Sequence, residues 1–197
     1  MFHSPRINFS LALVVVVVAA AFSLALNATV PAGWLIAGSK PAEYEAGIDP
    51  TAVHNDHASA YLKSKSAAVE GFGTLMQSFS AEKYAGKRIR FTANAKSEGV
   101  QEWSGLWMRV DKQSTVVAFD NMQNRPITGS TGWHSYAVVL NVPQDATGIF
   151  FGVLLTGPGT VWLNGAKIEV VGSEIPTTDM NSTKTPDEPR NLDFTEQ

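Results

Sequence analysis

The stretch Trp103-Ser104-Gly105-Leu106-Trp107-Met108-Arg109-Val110-Asp111, followed by Val116-Val117-Ala118-Phe119-Asp120-Asn121, decides the fold. Strand side chains alternate with a period of two. Leu106, Met108 and Val110 therefore point to one side, and Trp103, Gly105, Trp107, Arg109 and Asp111 to the other. The first side is ordinary core. The second carries two indoles, a guanidinium and a carboxylate, a set that is costly to bury without a partner and that suits a ligand. Working outward from about Trp34, the chain repeats the same grammar: short apolar runs separated by Gly, Pro, Asn, Asp and Ser. That punctuation reads as an all-β, antiparallel β-sandwich of the jelly-roll kind.

Strands are expected near Trp34–Ala37, Ala58–Lys63, Gly73–Phe79, Arg88–Ala95, Leu106–Val110, Val116–Asp120, Tyr136–Val142, Gly148–Leu155 and Val161–Val170. Turns are expected at Asp49-Pro50, Asn124-Arg125-Pro126, Gly129–Gly132, Val142-Pro143 and Gly157-Pro158-Gly159. Ser80–Tyr84 reads as one helical turn with Ser80 as its cap. The 197 residues hold one domain with a real core, placed at 34–171. Before it, Arg6 and the apolar run Leu11–Leu26, with small residues at Ala25 and Ala28, read as a signal peptide over 1–28. An uncleaved N-terminal anchor is the alternative, and the run is shorter than the roughly 20 residues of a typical spanning helix. The expected location is therefore secreted or extracytoplasmic, with the membrane met only through this segment. After the domain, residues 174–197 contain three prolines, six acids and two bases. They read as a disordered acidic tail, because they lack the apolar surface to offset the entropy of ordering.

Composition excludes several function classes. The net charge is -3, and no basic patch of the kind nucleic acid requires is present. In the short basic run Lys87–Arg90, alternation puts Arg88 and Arg90 on one strand face, a solvated rim or else a phosphate site. There is no cysteine, hence no disulfide, thiolate nucleophile or cysteine-bound metal. No nucleophile elbow, P-loop or dinucleotide fingerprint occurs, and no internal repeat. Asn27-Ala28-Thr29 and Asn181-Ser182-Thr183 match the glycosylation acceptor pattern, relevant only to a eukaryotic secretory route.

Several motifs together resemble a known family. They run Gly71-Phe72-Gly73-Thr74-Leu75-Met76-Gln77, then Gly86–Phe91, Gly105–Asp111, Phe119–Gly129, Trp133-His134-Ser135-Tyr136, Val142-Pro143, Phe151–Leu155 and Gly159-Thr160-Val161-Trp162. The set resembles a poorly characterised bacterial family of β-sandwich domains found alone or fused to helix-turn-helix regulators of the AraC type. The resemblance covers Trp34 to Val171. More distantly, the closing strands are similar to galactose-binding-like jelly rolls and carbohydrate-binding modules. That similarity implies a saccharide-binding domain, with a structural calcium near an Asp just after the last aromatic; this chain has Asn164-Gly165 there. It also has no helical regulator domain between Trp34 and Val171, so a regulatory role is not carried over.

The candidate ligand-binding residues are Gln77, Trp103, Trp107, Arg109, Asp120 and Asn121. Indoles stack on sugar C–H faces and polar neighbours fix the orientation. Trp107 is assigned to the ligand face because Leu106 and Met108 claim the core, whereas Trp133 and Trp162 are expected in the core. Arg109 and Asp120, on strands expected to be adjacent, read either as a bracing ion pair or as a site in which Arg109 forks onto a ligand. Gln77 alternates with the apolar Leu75 and Phe79, so it needs hydrogen-bond partners that a cleft supplies.

Three functions from different classes remain open. The first is an exported module binding a saccharide or similar small polar molecule in an aromatic cleft. The second is a secreted enzyme of cyclase or isomerase type, with Asp120 or Asp111 moving a proton and Trp107 facing a developing cation. No spacing marks a catalytic carboxylate pair among Asp111, Asp120 and Glu102. The third is a protein-interaction module. No metal ligand set is identified: His54-Asn55-Asp56-His57 has two histidines three apart but reads as a surface loop. No other cofactor is expected. A carboxylic acid enclosed by aromatics without a basic partner would favour the enzyme; acids paired with arginine beside an open groove would favour binding.

Overall fold

The computed structural model describes residues 29–181 together with Leu192 and Thr195. The expected leader at 1–28 lies outside these residues. Among the described residues nine strands follow one another, with single 3-10 turns at Pro41–Glu43 and Glu82–Tyr84. They are β1 (Leu35–Gly38), β2 (Tyr44–His54), β3 (His57–Ser64), β4 (Phe72–Ser80), β5 (Arg88–Lys112), β6 (Thr115–Asp120), β7 (Ile127–Asn141), β8 (Gly148–Thr156) and β9 (Thr160–Val171). All pairings are antiparallel. The all-β jelly roll is the fold.

The 25 residues of β5 join two layers. Residues 88–98 pair with β9 and β7 in the first layer, ordered β2-β3-β9-β5-β7. Residues 103–111 pair with β8 in the second, ordered β1-β4-β8-β5-β6. Register shifts between Ala95 and Ser104 mark where the strand bends from one layer to the other. Two expected strands are thus halves of one, and Asp49-Pro50, expected to be a turn, lies within β2, a strand that was not expected. Its proline lies at the bulge between Asp49 and Val53, on an edge strand where a missing N–H costs no ladder bond.

The two inner faces meet in one core. Its second-layer rows are Leu106–Val153–Leu75 and Val110–Ile149–Phe79, read across paired strands. Leu106, Met108 and Val110 are fully buried, as their alternation requires, and Phe91, Leu62, Ile89 and Leu140 face them from the first layer. Residues 174–181 depart from the expected disordered tail, while the rest of that tail, apart from Leu192 and Thr195, lies outside the described residues. Thr178 N donates to Val139 O at 2.8 Å and Met180 N to Phe119 O at 2.8 Å. Residues 174–181 therefore lie along the free edges of β7 and β6, where unpaired strand groups reward any chain that can pair with them.

Trp133 and Trp162 are a correction: both are half-buried on the outside of the first layer. Trp133 stacks on His54 with centroids 4.6 Å apart. Trp162 donates its indole N–H to Asp49 Oδ2 at 2.8 Å, with Lys96 Nζ 4.4 Å from its ring centre. Pairing explains this, because Lys96, Trp162, Tyr61 and Gly47 form one outward row. The His54–His57 segment closes the β2–β3 hairpin through Asn55 and Asp56, both at positive φ, the geometry of a two-residue hairpin turn. The two arginines that begin β5 are spent on structure: Arg90 pairs with Glu169, and Arg88 reaches Asn141, Ser173 O and Ile175 O.

A candidate ligand cleft on the second layer

The outward face of the second layer forms a cleft of about 620 Å³. Register builds it row by row. Trp103 lies opposite Thr156, which lies opposite Phe72; Trp107 lies opposite Gly152 and Met76; Arg109 lies between Phe150 and Phe119. Gly152 is required at its position, since a Cβ there would come within 2.2 Å of Leu75 O. The bare backbone lets the Trp107 ring reach across β8, where its Nε1 donates to Thr74 Oγ1 at 2.7 Å. Thr74 in turn donates to Val153 O at 2.9 Å. Trp107 is thereby oriented on its polar edge and is 8% exposed.

Arg109 lines the cleft with its guanidinium carbon 4.4 Å from the Phe150 ring centre. Its Nη2 donates to Asp111 Oδ2 at 2.9 Å. Arg109 Nε and Asp111 Oδ1 are both buried without a hydrogen-bond partner. Stacking and the ion pair hold the guanidinium plane in place, and among the described residues no hydrogen bond occupies Nη1.

Asn121 reaches the cleft by a different route. The chain crosses the outer face at Gly105, where a Cβ would meet Asn121 O at 2.8 Å and Met122 Cβ at 2.9 Å. Met122 sits at φ 63°. Asp120 holds this turn from beneath: Oδ1 accepts from Met122 N at 2.8 Å, and the carboxylate takes Arg125 Nη1 at 3.1 Å and Nη2 at 2.6 Å. Arg125 also donates to Ala137 O at 3.0 Å.

Of the expected site residues, Trp103, Trp107, Arg109 and Asn121 line this one cleft. Asp120 and Gln77 do not. Asp120 pairs with Met108 across β6 and β5, so its side chain turns inward, and it is completely buried against Arg125 rather than Arg109. Gln77 lies opposite Phe151, on the inward face, at a separate opening beside Trp34 and Tyr84. Asp111 shares the outward face but is bound to Arg109 outside the cleft lining. Both catalytic candidates therefore have an arginine partner, and the lining contains no carboxylate. Sequence reading passed over Phe72, Thr74, Phe119 and Phe150. Phe150 was legible by alternation against its inward neighbour Phe151; the others needed the register.

The residues near Asn164 do not fit the calcium that the resemblance implies. Asn164 Nδ2 donates to His57 O at 3.1 Å, Ala58 O at 3.2 Å and Ser59 Oγ at 3.1 Å. Three oxygens converge on an amide N–H₂, and no carboxylate joins them, whereas calcium takes six to eight oxygen ligands with carboxylates among them. Among the described residues no group of three His, Cys, Asp or Glu is placed to hold a metal.

On the first layer, Asp49 is held at about 2, well below the usual carboxylate range, by hydrogen bonds from Thr51 first and also from Trp162 and the Thr51 and Ala52 N–H groups, against the opposing effect of burial. Burial raises Tyr61 nearby, reinforced by the charges of Glu45 and Asp49.

No protein-family model matches the chain. It is 47% identical over 168 residues, 84% of its length, to an uncharacterized HTH-type transcriptional regulator, YbfP, of Bacillus subtilis (strain 168). The chain spans 57% of that protein's length. Among solved structures, it is similar to the C-terminal family 22 carbohydrate-binding module of Clostridium thermocellum Xyn10B, at 15% identity and a TM-score of 0.50, covering 74% of this chain and 90% of that one. It is also similar to the CBM22-1 xylan-binding domain of Paenibacillus barcinonensis Xyn10C, at 11% identity and a TM-score of 0.52, covering 72% and 87%. A cyclase from Fischerella sp. matches at 13% identity and a TM-score of 0.53, covering 73% and 85%. At these identities the structural likenesses establish the jelly-roll fold.

Proposed function

We propose that the domain is a ligand-binding module whose cleft on the second layer takes a small polar molecule with an apolar face, most simply a saccharide. One observation carries the reading: aromatic rings line the cleft with only four polar side chains, Thr74, Arg109, Asn121 and Thr156. Apolar walls with a few placed polar groups are what small-molecule sites share. The carbohydrate-binding modules with the same fold support the saccharide, and a Stig cyclase of Fischerella sp. with that fold, solved in complex with an indole-bearing molecule, supports a compact aromatic ligand. Proton-transfer catalysis has less support, because Asp111 and Asp120 are tied to Arg109 and Arg125 and neither lines the cleft. The regulator from Bacillus subtilis supports the binding reading too. A module that recognises a small molecule serves as well beside a regulatory domain as alone. Export belongs to the proposal on the strength of the apolar run Leu11–Leu26; recovery of Met1 from soluble cytoplasmic protein would remove it.

The test is native mass spectrometry of the purified full chain for a retained ligand, followed by calorimetric titration with xylohexaose, cellohexaose and their monosaccharides. Binding with one site per chain that Trp103→Ala weakens at least tenfold is the expected result. Saturable binding indifferent to Trp103→Ala would place the ligand elsewhere on the molecule.

A further inference from the structure

The terminal segment from Gly172 to Asn181 ends on one lining residue of the cleft, Phe119. Phe119 lies on β6, an edge strand whose ladder partner is β5 alone. Its other edge is occupied by the chain end. Phe119 N donates to Asp179 Oδ1 at 3.0 Å, and Phe119 O accepts from Met180 N at 2.8 Å. Asp179 Oδ1 also accepts from Asn181 N at 3.0 Å, which fixes the carboxylate in place. One residue earlier the segment grips the other layer. Thr178 N donates to Val139 O at 2.8 Å, and Val139 N donates to Thr178 Oγ1 at 2.9 Å, so the threonine side chain completes a strand-like pair on β7. Farther back, Arg88 Nη1 donates to Ser173 O at 2.7 Å. The segment is therefore a clasp between the free edges of the two layers. Its last anchor is the backbone of the residue that faces Arg109 across the strand pair.

We propose that Asp179 is a positioning residue of the ligand cleft: by accepting the Phe119 N–H it sets the wall against Arg109, so that docking of the terminal segment and occupancy of the cleft favour each other. The inference rests on the cleft being the binding site. Its physical basis is the two-sidedness of binding linkage. If the docked segment improves the cleft, a bound ligand must stabilise the docked segment by the same factor. A six-residue edge strand held on one side only is the kind of element whose local opening such a clasp suppresses.

The experiment uses the full chain with Asp179→Ala and with Asp179→Asn, which keeps an oxygen acceptor. Amide hydrogen exchange is read at Phe119, with Leu106 as the core reference, and affinity is measured with xylohexaose and cellohexaose. In the alanine variant the Phe119 amide is expected to exchange about tenfold faster, the equivalent of one lost hydrogen bond, while Leu106 is unchanged; the asparagine variant recovers most of the protection. Affinity for whichever probe binds should fall in the alanine variant and return with asparagine. Bound probe should slow exchange at Met180. Unchanged Phe119 exchange in Asp179→Ala overturns the clasp. Faster exchange with unaltered probe affinity overturns the coupling. Wild-type protein that binds neither probe, with the exchange results as expected, refutes the saccharide reading while leaving the clasp itself established.

Discussion

Trp107 joins two properties that usually exclude each other. It lines a cleft, and it is nearly as buried as a core residue. The reason is its neighbour Gly152, over which the indole lies to reach Thr74. Replacing Trp107 with alanine therefore removes both ligand contact and buried area, and a loss of about 3–5 kcal/mol is expected for a buried tryptophan. The cleaner variant is Trp107→Phe. It keeps an aromatic face in the cleft but leaves Thr74 Oγ1 without its donor, a change of about 1 kcal/mol. In chemical denaturation the phenylalanine variant should remain folded with a modest fall in midpoint, whereas the alanine variant should fall several times as far. Equal stability of both with wild type would show that the ring is not packed as described. Asp120 is the converse case. Its carboxylate looked chemical in the sequence, yet pairing with Met108 turns it inward, where it holds Met122 and Arg125 and so presents Asn121 to the cleft.

Among the elements, the β2–β3 hairpin depends most visibly on one group. Asp49 accepts from Thr51 N at 2.9 Å, Thr51 Oγ1 at 2.6 Å and Ala52 N at 3.2 Å at the bulge, and from the Trp162 indole on β9. Because these donors favour the charged carboxylate, its pKa is about 2 in the folded protein against 3.8 in an ordinary aspartate. A depressed carboxylate contributes stability that is fully present above the ordinary value and is lost as pH falls through the folded one. Asp49→Ala should therefore lower the melting temperature at neutral pH. The gap between variant and wild type should then close as pH drops from about 4 to about 2. A gap that stays constant across that window would mean that the carboxylate charge is not what the hairpin uses.

At the scale of the whole molecule, the clasp changes what the terminal residues are expected to do. Their composition, six acids and three prolines in 174–197, gives no apolar face to dock. Main-chain pairing with two free strand edges docks residues 174–181 nevertheless, through Thr178, Asp179 and Met180. Each such bond contributes about 0.5–1.5 kcal/mol net, and ordering the chain offsets part of the sum. Deleting residues 174–197 should therefore lower the melting temperature by about 3–6 °C, corresponding to about 1–2 kcal/mol in a domain of this size. A deletion variant that melts with the intact chain would show that the edge pairing contributes nothing.

The sequence by itself determined the all-β class, the two-faced character of residues 103–111 and the pairing of core with Leu106, Met108 and Val110. These follow from period-two alternation and turn chemistry, which are local. It also brought out four residues that share the cleft, Trp103, Trp107, Arg109 and Asn121, because three of them lie on one strand and the fourth begins the next turn. Register was decided only in three dimensions. Whether Asp120 faces with Arg109 or away from it depends on which residue of β5 it pairs with, and a shift of one residue reverses the side. The same rule separated Gln77 from the cleft and carried Trp162 out of the core. The tertiary structure alone showed that β5 serves both layers, and that a polar chain end finds its place on strand edges that no local pattern reveals.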